Sequence, residues 1–252
     1  MKQTLNIAWI AIRELVYERV FYLLFSFVGL ALILSILLGQ MTYGEQTKLT
    51  IDFMLGSAHL AMVLFSIFMG ISLFQRELQM GSVSMLLSKP VSRTSFLVGK
   101  YLGQVLVQLG VMLAITGIVC LSLLRFDQVQ YLAIFQAILL LFFETCVITA
   151  MTYFFSVNSG SITTAVATFG LFIVGHYSFN SNRNPASSSN PLKEIIYAVL
   201  PNLEIFNLKT YASYGVTISR TEVGLSCAYA MVCITMFLVL AAVTFNKKDI
   251  LT

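Results

Sequence analysis

The stretch YLAIFQAILLLFFETCVITAMTYFFS, residues 131 to 156, carries a single charged side chain, Glu144, in 26 positions. A helix rises about 1.5 Å per residue and the hydrocarbon core of a bilayer is about 30 Å thick, so roughly 20 apolar residues cross it. This stretch is long enough and apolar enough to do so. Five more qualify on either side of it: Val20–Leu38, Phe53–Phe74, Phe96–Leu124, Ile162–Phe179 and Val223–Phe245. The third run, Phe96–Leu124, exceeds what a bilayer requires, so its start is expected to project into water. The expected fold is an all-α polytopic membrane protein, one transmembrane domain over residues 1–252 with six transmembrane helices.

Composition agrees. Apolar residues make up 58% of the chain and charged residues 10%, whereas an average soluble domain is about 25% charged. A soluble chain of this length lacks the polar side chains to cover its surface, and the surplus apolar surface is assigned to lipid. The net charge is +4, with no basic stripe of the kind that binds nucleic acid. Cys120, Cys146, Cys227 and Cys233 all sit inside apolar runs without metal-ligand spacing, and read as small buried hydrophobes. Lys2, Arg13 and Arg19 precede the first apolar run, and no small-residue cleavage pattern follows it promptly, so that run reads as a retained first span.

Charge placement sets the orientation. Lys2, Arg13, Arg19, Arg76, Lys89, Arg93, Lys100, Lys247 and Lys248 fall on one side, close to span ends. Lys48, Arg125, Arg183, Lys193, Lys209 and Arg220 fall on the other, spread over longer loops. The denser side is expected to be cytoplasmic, which puts both termini inside, as an even number of spans requires.

Three segments outside the spans carry information. Leu5, Trp9, Ile12 and Val16 recur at helical spacing within Thr4–Glu18, with Arg13, Glu14 and Glu18 elsewhere around the helix. That pattern predicts an interfacial helix on the inner leaflet, acting as an anchor or as a mechanical element. Residues 75–100 form a cytoplasmic loop with a short helix that Glu77 opens, a break at Pro90, and a new helix capped by Ser92 or Thr94. Its apolar side chains, Met80, Val83, Leu86 and Leu87, suit either a partner's groove or the membrane surface. Residues 180–221 form the long outer loop, polar and loop-like over Asn182–Asn190. Its pieces Pro191–Leu200 and Leu203–Ala212 are expected to be interfacial or re-entrant helices roofing the bundle.

A search for chemistry finds little. No phosphate-cradling G-x-x-x-x-G-K-[ST] loop and no H-E-x-x-H occurs. The two histidines, His59 and His176, read as isolated, without carboxylate or cysteine neighbours at ligand spacing, so no metal site is expected. Ser159 or Ser161 with His176 cannot form a dyad, because a helix holds them roughly 22–26 Å apart. Glu144 is the notable intramembrane charge and a functional candidate by its cost alone, although a carboxyl bonded to a neighbouring helix is also a structural solution. Gln104 and Gln108, one turn apart in the third span, are candidate hydrogen-bond partners across the bundle. Gly99-x-x-x-Gly103 matches a helix-packing pattern short enough to arise by chance.

The string FQRELQMGSVSMLLSKPVSRTSFLVGKYLG, residues 74–103, resembles the cytoplasmic loop of ABC-2-type transporter permeases. Glu77, Gly81, Leu86, Leu87, Pro90, Val91, Ser92, Arg93, Gly99 and Lys100 fit that pattern. Ser82 replaces the usual Thr and Met85 a frequent acidic residue. Ala11-Ile12-Arg13-Glu14 with Arg19 resembles the family's amphipathic connecting helix, here residues 1–19 with Trp9, Arg13 and Glu14. Phe245-Asn246-Lys247-Lys248-Asp249 resembles its tail, and Leu200–Asn207 a stretch found in members with a long last loop. The resemblance implies a permease subunit of the inner (cytoplasmic) membrane that pairs with a second copy and binds two cytosolic ATPase subunits. ATP and Mg would belong to those partners; no cofactor is expected on this chain, and it is expected not to be an enzyme itself. Glu77, Gly81, Leu86, Leu87, Pro90 and Arg93 would serve ATPase coupling, and export would follow. Two other tasks fit the same spans: passing force to a periplasmic partner, as in metalloenzyme maturation, or ATP-independent secondary transport through Glu144.

Overall fold

The computed structural model describes residues 2–19, 46–79, 93–124, 126, 129–180 and 201–247, with Phe21, Tyr22, Ser26, Gly29, Leu30, Ile33, Leu34 and Leu37. Every regular element among them is helical. In chain order they are α1 (Lys2–Tyr17), α2 (Gln46–Gln79), α3 (Arg93–Leu123), α4 (Tyr131–Asn158) and α5 (Ser161–Asn180). A 3-10 turn (Glu204–Phe206), α6 (Lys209–Ser213) and α7 (Arg220–Lys247) follow. Among the described residues, α2, α3, α4 and α7 are long and apolar enough to cross a membrane. Helix α5, of 20 residues, is apolar but falls short of them. The first expected span, residues 20–38, lies largely outside the described residues, and its described positions are helical.

Helices α2 and α4 form the centre. In the most apolar stretch of each, 67% of residues are buried, against 33% in α3 and α7. The outer helices turn large apolar side chains away from the core, among them Leu106, Leu113 and Leu121 on α3 and Val232, Val239 and Val243 on α7. Each such side chain would cost about 1.5–3 kcal/mol to hold in water rather than in an apolar medium. Ringed around two helices, they mark a lipid-facing surface, and the chain reads as a membrane-spanning protein.

Helix α1 packs along α3. Ala8, Ala11 and Leu15, spaced three and four apart, are buried, whereas Trp9, Ile10, Val16 and Tyr17 are exposed. The buried stripe therefore leaves out Trp9 and Val16 of the bulky pattern; it is a smaller-residue face, with Ile12 partly buried beside it. Small residues win because this contact is backbone to backbone. A Cβ on Gly99 would stand 2.9 Å from Ile7 Cβ and 3.1 Å from the Thr4 carbonyl oxygen. One on Gly103 would stand 2.7 Å from the Ala8 carbonyl oxygen and from Ala11 Cβ. Gly99-x-x-x-Gly103 is thus a true close-packing face. Contacts advance in the same direction on both helices, Thr4 and Ile7 at Gly99 and then Ala8 and Ala11 at Gly103, so they run side by side and parallel. Lys100, itself buried, closes the contact with an ion pair to Glu14.

Helix α2 corrects the reading of the loop. It continues unbroken from Gln46 to Gln79, so Glu77 lies in the last turn of a long helix and does not open a short one. Gln75-Arg76-Glu77-Leu78-Gln79 contains no breaker, and all five residues are good helix formers. Gly81, Leu86, Leu87 and Pro90 fall outside the described residues, as does Pro191–Leu200.

Residues 201–219 cover the opposite end of the bundle. Leu203, Phe206, Leu208 and Ala212 are buried against it, but as a 3-10 turn and one short helix rather than a single helix over Leu203–Ala212. Asn207 sits at the break, its amide bonded to Glu204 Oε1 at 3.1 Å. Gly175 lets this cover approach α5, since a Cβ there would meet Leu203 at 3.0 Å. Gln136 fastens it to α4 through paired bonds with the Ile218 backbone of 3.0 and 3.1 Å.

Candidate functional site

Two groups of polar side chains stand out, one inside the bundle and one at its end. The inner group is built on Glu144, 13 residues into α4 and therefore about 20 Å from its start. The carboxyl is buried and pairs across the core with His59 of α2, whose Nε2 lies 2.9 Å from Oε1. On the far side of the same ring, Lys209 Nζ of α6 lies 2.6 Å from His59 Nδ1. His176 of α5 completes the group with Nε2 3.6 Å from Glu144 Oε1. Four elements distant in sequence thus converge on one carboxyl.

Hydrogen-bond logic orders the chain of contacts. An ammonium only donates, so Lys209 gives a bond to Nδ1, and the imidazole proton then sits on Nε2 and points at Glu144. Lys209, His59 and Glu144 form a line of exchangeable protons from the covering segment to the middle of α4. Burial pushes the Lys209 ammonium's pKa down, while Glu144, Glu204 and Asp52 pull it up. A carboxylate alone at this depth is costly; bridged to a cation through an imidazole, the group is compatible with neutrality. His176 is different. Both of its ring nitrogens are buried and have no hydrogen-bond partner within the described residues. The ring is held by aromatic contact, 4.8 Å from Phe172 and 5.6 Å from His59 between centroids.

The two histidines are therefore not isolated, which corrects the reading of the sequence. They are separated along the chain by more than a hundred residues, but His59 in the first half of α2 and His176 in the last turns of α5 both face Glu144 of α4. Gln104 and Gln108 do bond across the bundle, though with other groups. Gln104 donates to the Ser66 carbonyl at 3.0 Å, and Gln108 to Ser66 Oγ and Thr149 Oγ1, both at 2.8 Å. They tie α3 to α2 and α4 more than one turn away from Glu144. Ser161 and His176 stand at opposite ends of α5. Lys209 reads in the sequence only as an outer-side charge, and nothing there marks it as the partner of His59; it belongs to a five-residue helix. The four cysteines are free thiols, Cys146 and Cys233 buried.

The second group lies where α3 begins and α7 ends. Arg93 Nη1 donates to the Phe245 carbonyl at 3.1 Å, a basic group at the negative end of α7. Phe245 stacks against Phe96 and meets Phe74, which in turn packs on Tyr153, with centroids 5.5–6.5 Å apart. Gln75 donates to the Ser156 carbonyl at 3.1 Å, serving the unpaired carbonyls that end α4. Arg13 of α1 lies 5.8 Å over the Trp9 ring, and both remain on the outward face.

A family model described as "Protein of unknown function (DUF2705)" matches residues 58–251. The chain belongs to that family. The DUF2705 match begins at Ala58 and takes in His59, Glu144, His176 and Lys209, together with Arg93 and Phe245; helix α1 precedes it. No curated protein matches this DUF2705 chain.

Proposed function

We propose that this chain is the membrane-spanning permease subunit of an ABC-2-type transporter, with six spans and both termini in the cytoplasm. It acts as a dimer in the inner membrane, and separate cytosolic ATPase subunits supply the nucleotide chemistry. One observation carries the reading. Residues behind the resemblance from three separate parts of the sequence meet at one end of the bundle. Glu14 pairs with Lys100 there, Gly99 receives α1, and Arg93 holds the carbonyl of Phe245. Residues 80–92, which carry Gly81, Leu86, Leu87 and Pro90, join the last turn of α2 to the first turn of α3 at that same end.

The arrangement supports mechanical coupling. A push on the loop acts directly on α2 and α3, and through Arg93 and Gln75 on the ends of α7 and α4. Helix α1, clamped along α3, moves with it. Cytosolic ATPases closing on bound ATP and Mg would drive that push, and the lipid-facing helices would transmit it to a path for cargo. The chain purified from its native membrane is expected to bring with it a cytosolic ATPase that carries a phosphate-cradling loop. Recovery of the chain alone, under conditions that keep other membrane complexes together, contradicts the proposal.

A second reading has its own support. The Lys209–His59–Glu144 line of contacts suits a proton-coupled secondary transporter that needs no ATPase. Under that reading the same purification yields the chain without an ATPase.

A further inference from the structure

We propose that His59, Glu144 and His176 bind one divalent late first-row transition-metal ion, for which Zn²⁺ is the reference cation. This goes beyond the transport reading and does not depend on it.

The argument begins with distances. One ligand atom from each residue, two imidazole nitrogens and a carboxylate oxygen, lie within 4.8 Å of one another on three different helices. Two of the separations are 2.9 and 3.6 Å. A tetrahedral cation with bonds of about 2.0–2.2 Å to nitrogen and oxygen spaces its ligand atoms roughly 3.3 Å apart. These two separations bracket that value, and the third, between the two imidazole nitrogens, is no more than 4.8 Å, so the rings must draw together as the ion enters.

His176 supplies a second, independent argument. Among the described residues both nitrogens of this imidazole are buried without a hydrogen-bond partner, which leaves a donor and an acceptor unsatisfied. Proteins rarely leave such groups without a purpose. Nothing in its surroundings explains a histidine as packing, since the contacts with Phe172 and His59 would suit a phenylalanine equally well. Its Nε2 instead lies 3.6 Å from Glu144 Oε1, too long for a good hydrogen bond and suited to two ligands of one cation.

Ligand chemistry selects the ion. Two imidazoles and one carboxylate suit Zn²⁺ and its neighbours, whereas Ca²⁺ and Mg²⁺ take oxygen ligands. Three protein ligands leave a fourth position for water or an anion, the pattern of an exchangeable site rather than a closed structural one. The proton between His59 Nε2 and Glu144 occupies the space the cation would take; it leaves as the cation enters, and Lys209 passes one of its own protons to Nδ1, so that the ring binds as a neutral imidazole and the Lys209 amine accepts the Nδ1 hydrogen bond.

The test uses the full chain in lipid nanodiscs, stripped with a chelator and titrated with Zn²⁺ against a chromophoric competitor. One Zn²⁺ per chain is expected. His176→Phe should weaken binding by at least about tenfold, and it should leave the metal-free unfolding temperature unchanged or raised because no hydrogen bond is lost. Binding by His176→Phe as tight as that of the unaltered chain overturns the site, as does the absence of stoichiometric binding. X-ray absorption of the Zn²⁺-loaded, unaltered chain provides a readout that no variant's folding can confuse. Two imidazoles with oxygen completing the shell are expected, and sulfur in the shell overturns the assignment.

Discussion

Leucine at position 103 is expected to strip α1 from α3 and to lower stability by about 1–3 kcal/mol, the usual cost of overpacking a filled contact. A Cβ alone would already stand 2.7 Å from both the Ala8 carbonyl oxygen and Ala11 Cβ. The oxygen is backbone, so it cannot swing aside as a long side chain would, and the two helices must separate. Lys100 and Glu14 then lose the approach that pairs them. Gly99→Ala should be milder, since its nearest neighbours are side-chain atoms of Ile7 at 2.9 Å. Gly117→Ala on the same helix is the control. No described atom lies within 4 Å of that Cβ, and helix propensity favours alanine by about 1 kcal/mol. Denaturation of the purified chain and trypsin cleavage at the exposed Arg13 check the order. Faster cleavage is expected for Gly103→Leu alone, and equal behaviour of the 103 and 117 variants would sink the packing account.

Glu144→Ala carries the largest expected loss of stability, about 3–5 kcal/mol, measured with metal chelated. Removing one member of a buried charge group leaves the others uncompensated. Here Lys209 and the His59 proton would face a cavity. Glu144→Gln keeps an acceptor for His59 Nε2 and should cost less, about 1.5–3 kcal/mol for a bond that loses its charge. Lys209→Met combined with Glu144→Leu should recover part of the loss, because the double change removes both charges. A glutamine variant as stable as the unaltered chain would show that the carboxyl bears no charge-dependent role in the fold.

The two groups were not equally legible in the sequence. Span-length apolar runs announced α2, α3, α4 and α7, because lipid imposes length and apolarity together. The run Ile162–Phe179 announces α5 in the same way, and only the cover over residues 201–219 lacks that signal, being short. Helix α1 is visible as a helix, and Trp9 and Val16 of its apolar pattern stay exposed, whereas the face that docks on α3, small Ala8 and Ala11 against Gly99 and Gly103, carries no such signal. Glu77 was misplaced because the loop pattern suggested a break that Gln75–Gln79 does not contain. At the inner site, Glu144 is flagged by cost alone and the histidines read as isolated. Depth along each helix can be counted from a sequence; which face turns inward on three helices at once cannot, so their meeting was hidden. Lys209 was hidden more completely, since its placement depends on Gly175 and Gln136 fixing a cover to the bundle.

The proposed coupling of residues 75–100 to a nucleotide-hydrolysing partner is read out by ATP hydrolysis of the co-purified ATPase with the chain in lipid nanodiscs, intact or lacking Ser84–Ser88. Hydrolysis should respond to the intact chain and lose that response on deletion or on Glu77→Lys, with membrane insertion unchanged. Hydrolysis that is indifferent to both changes would contradict it.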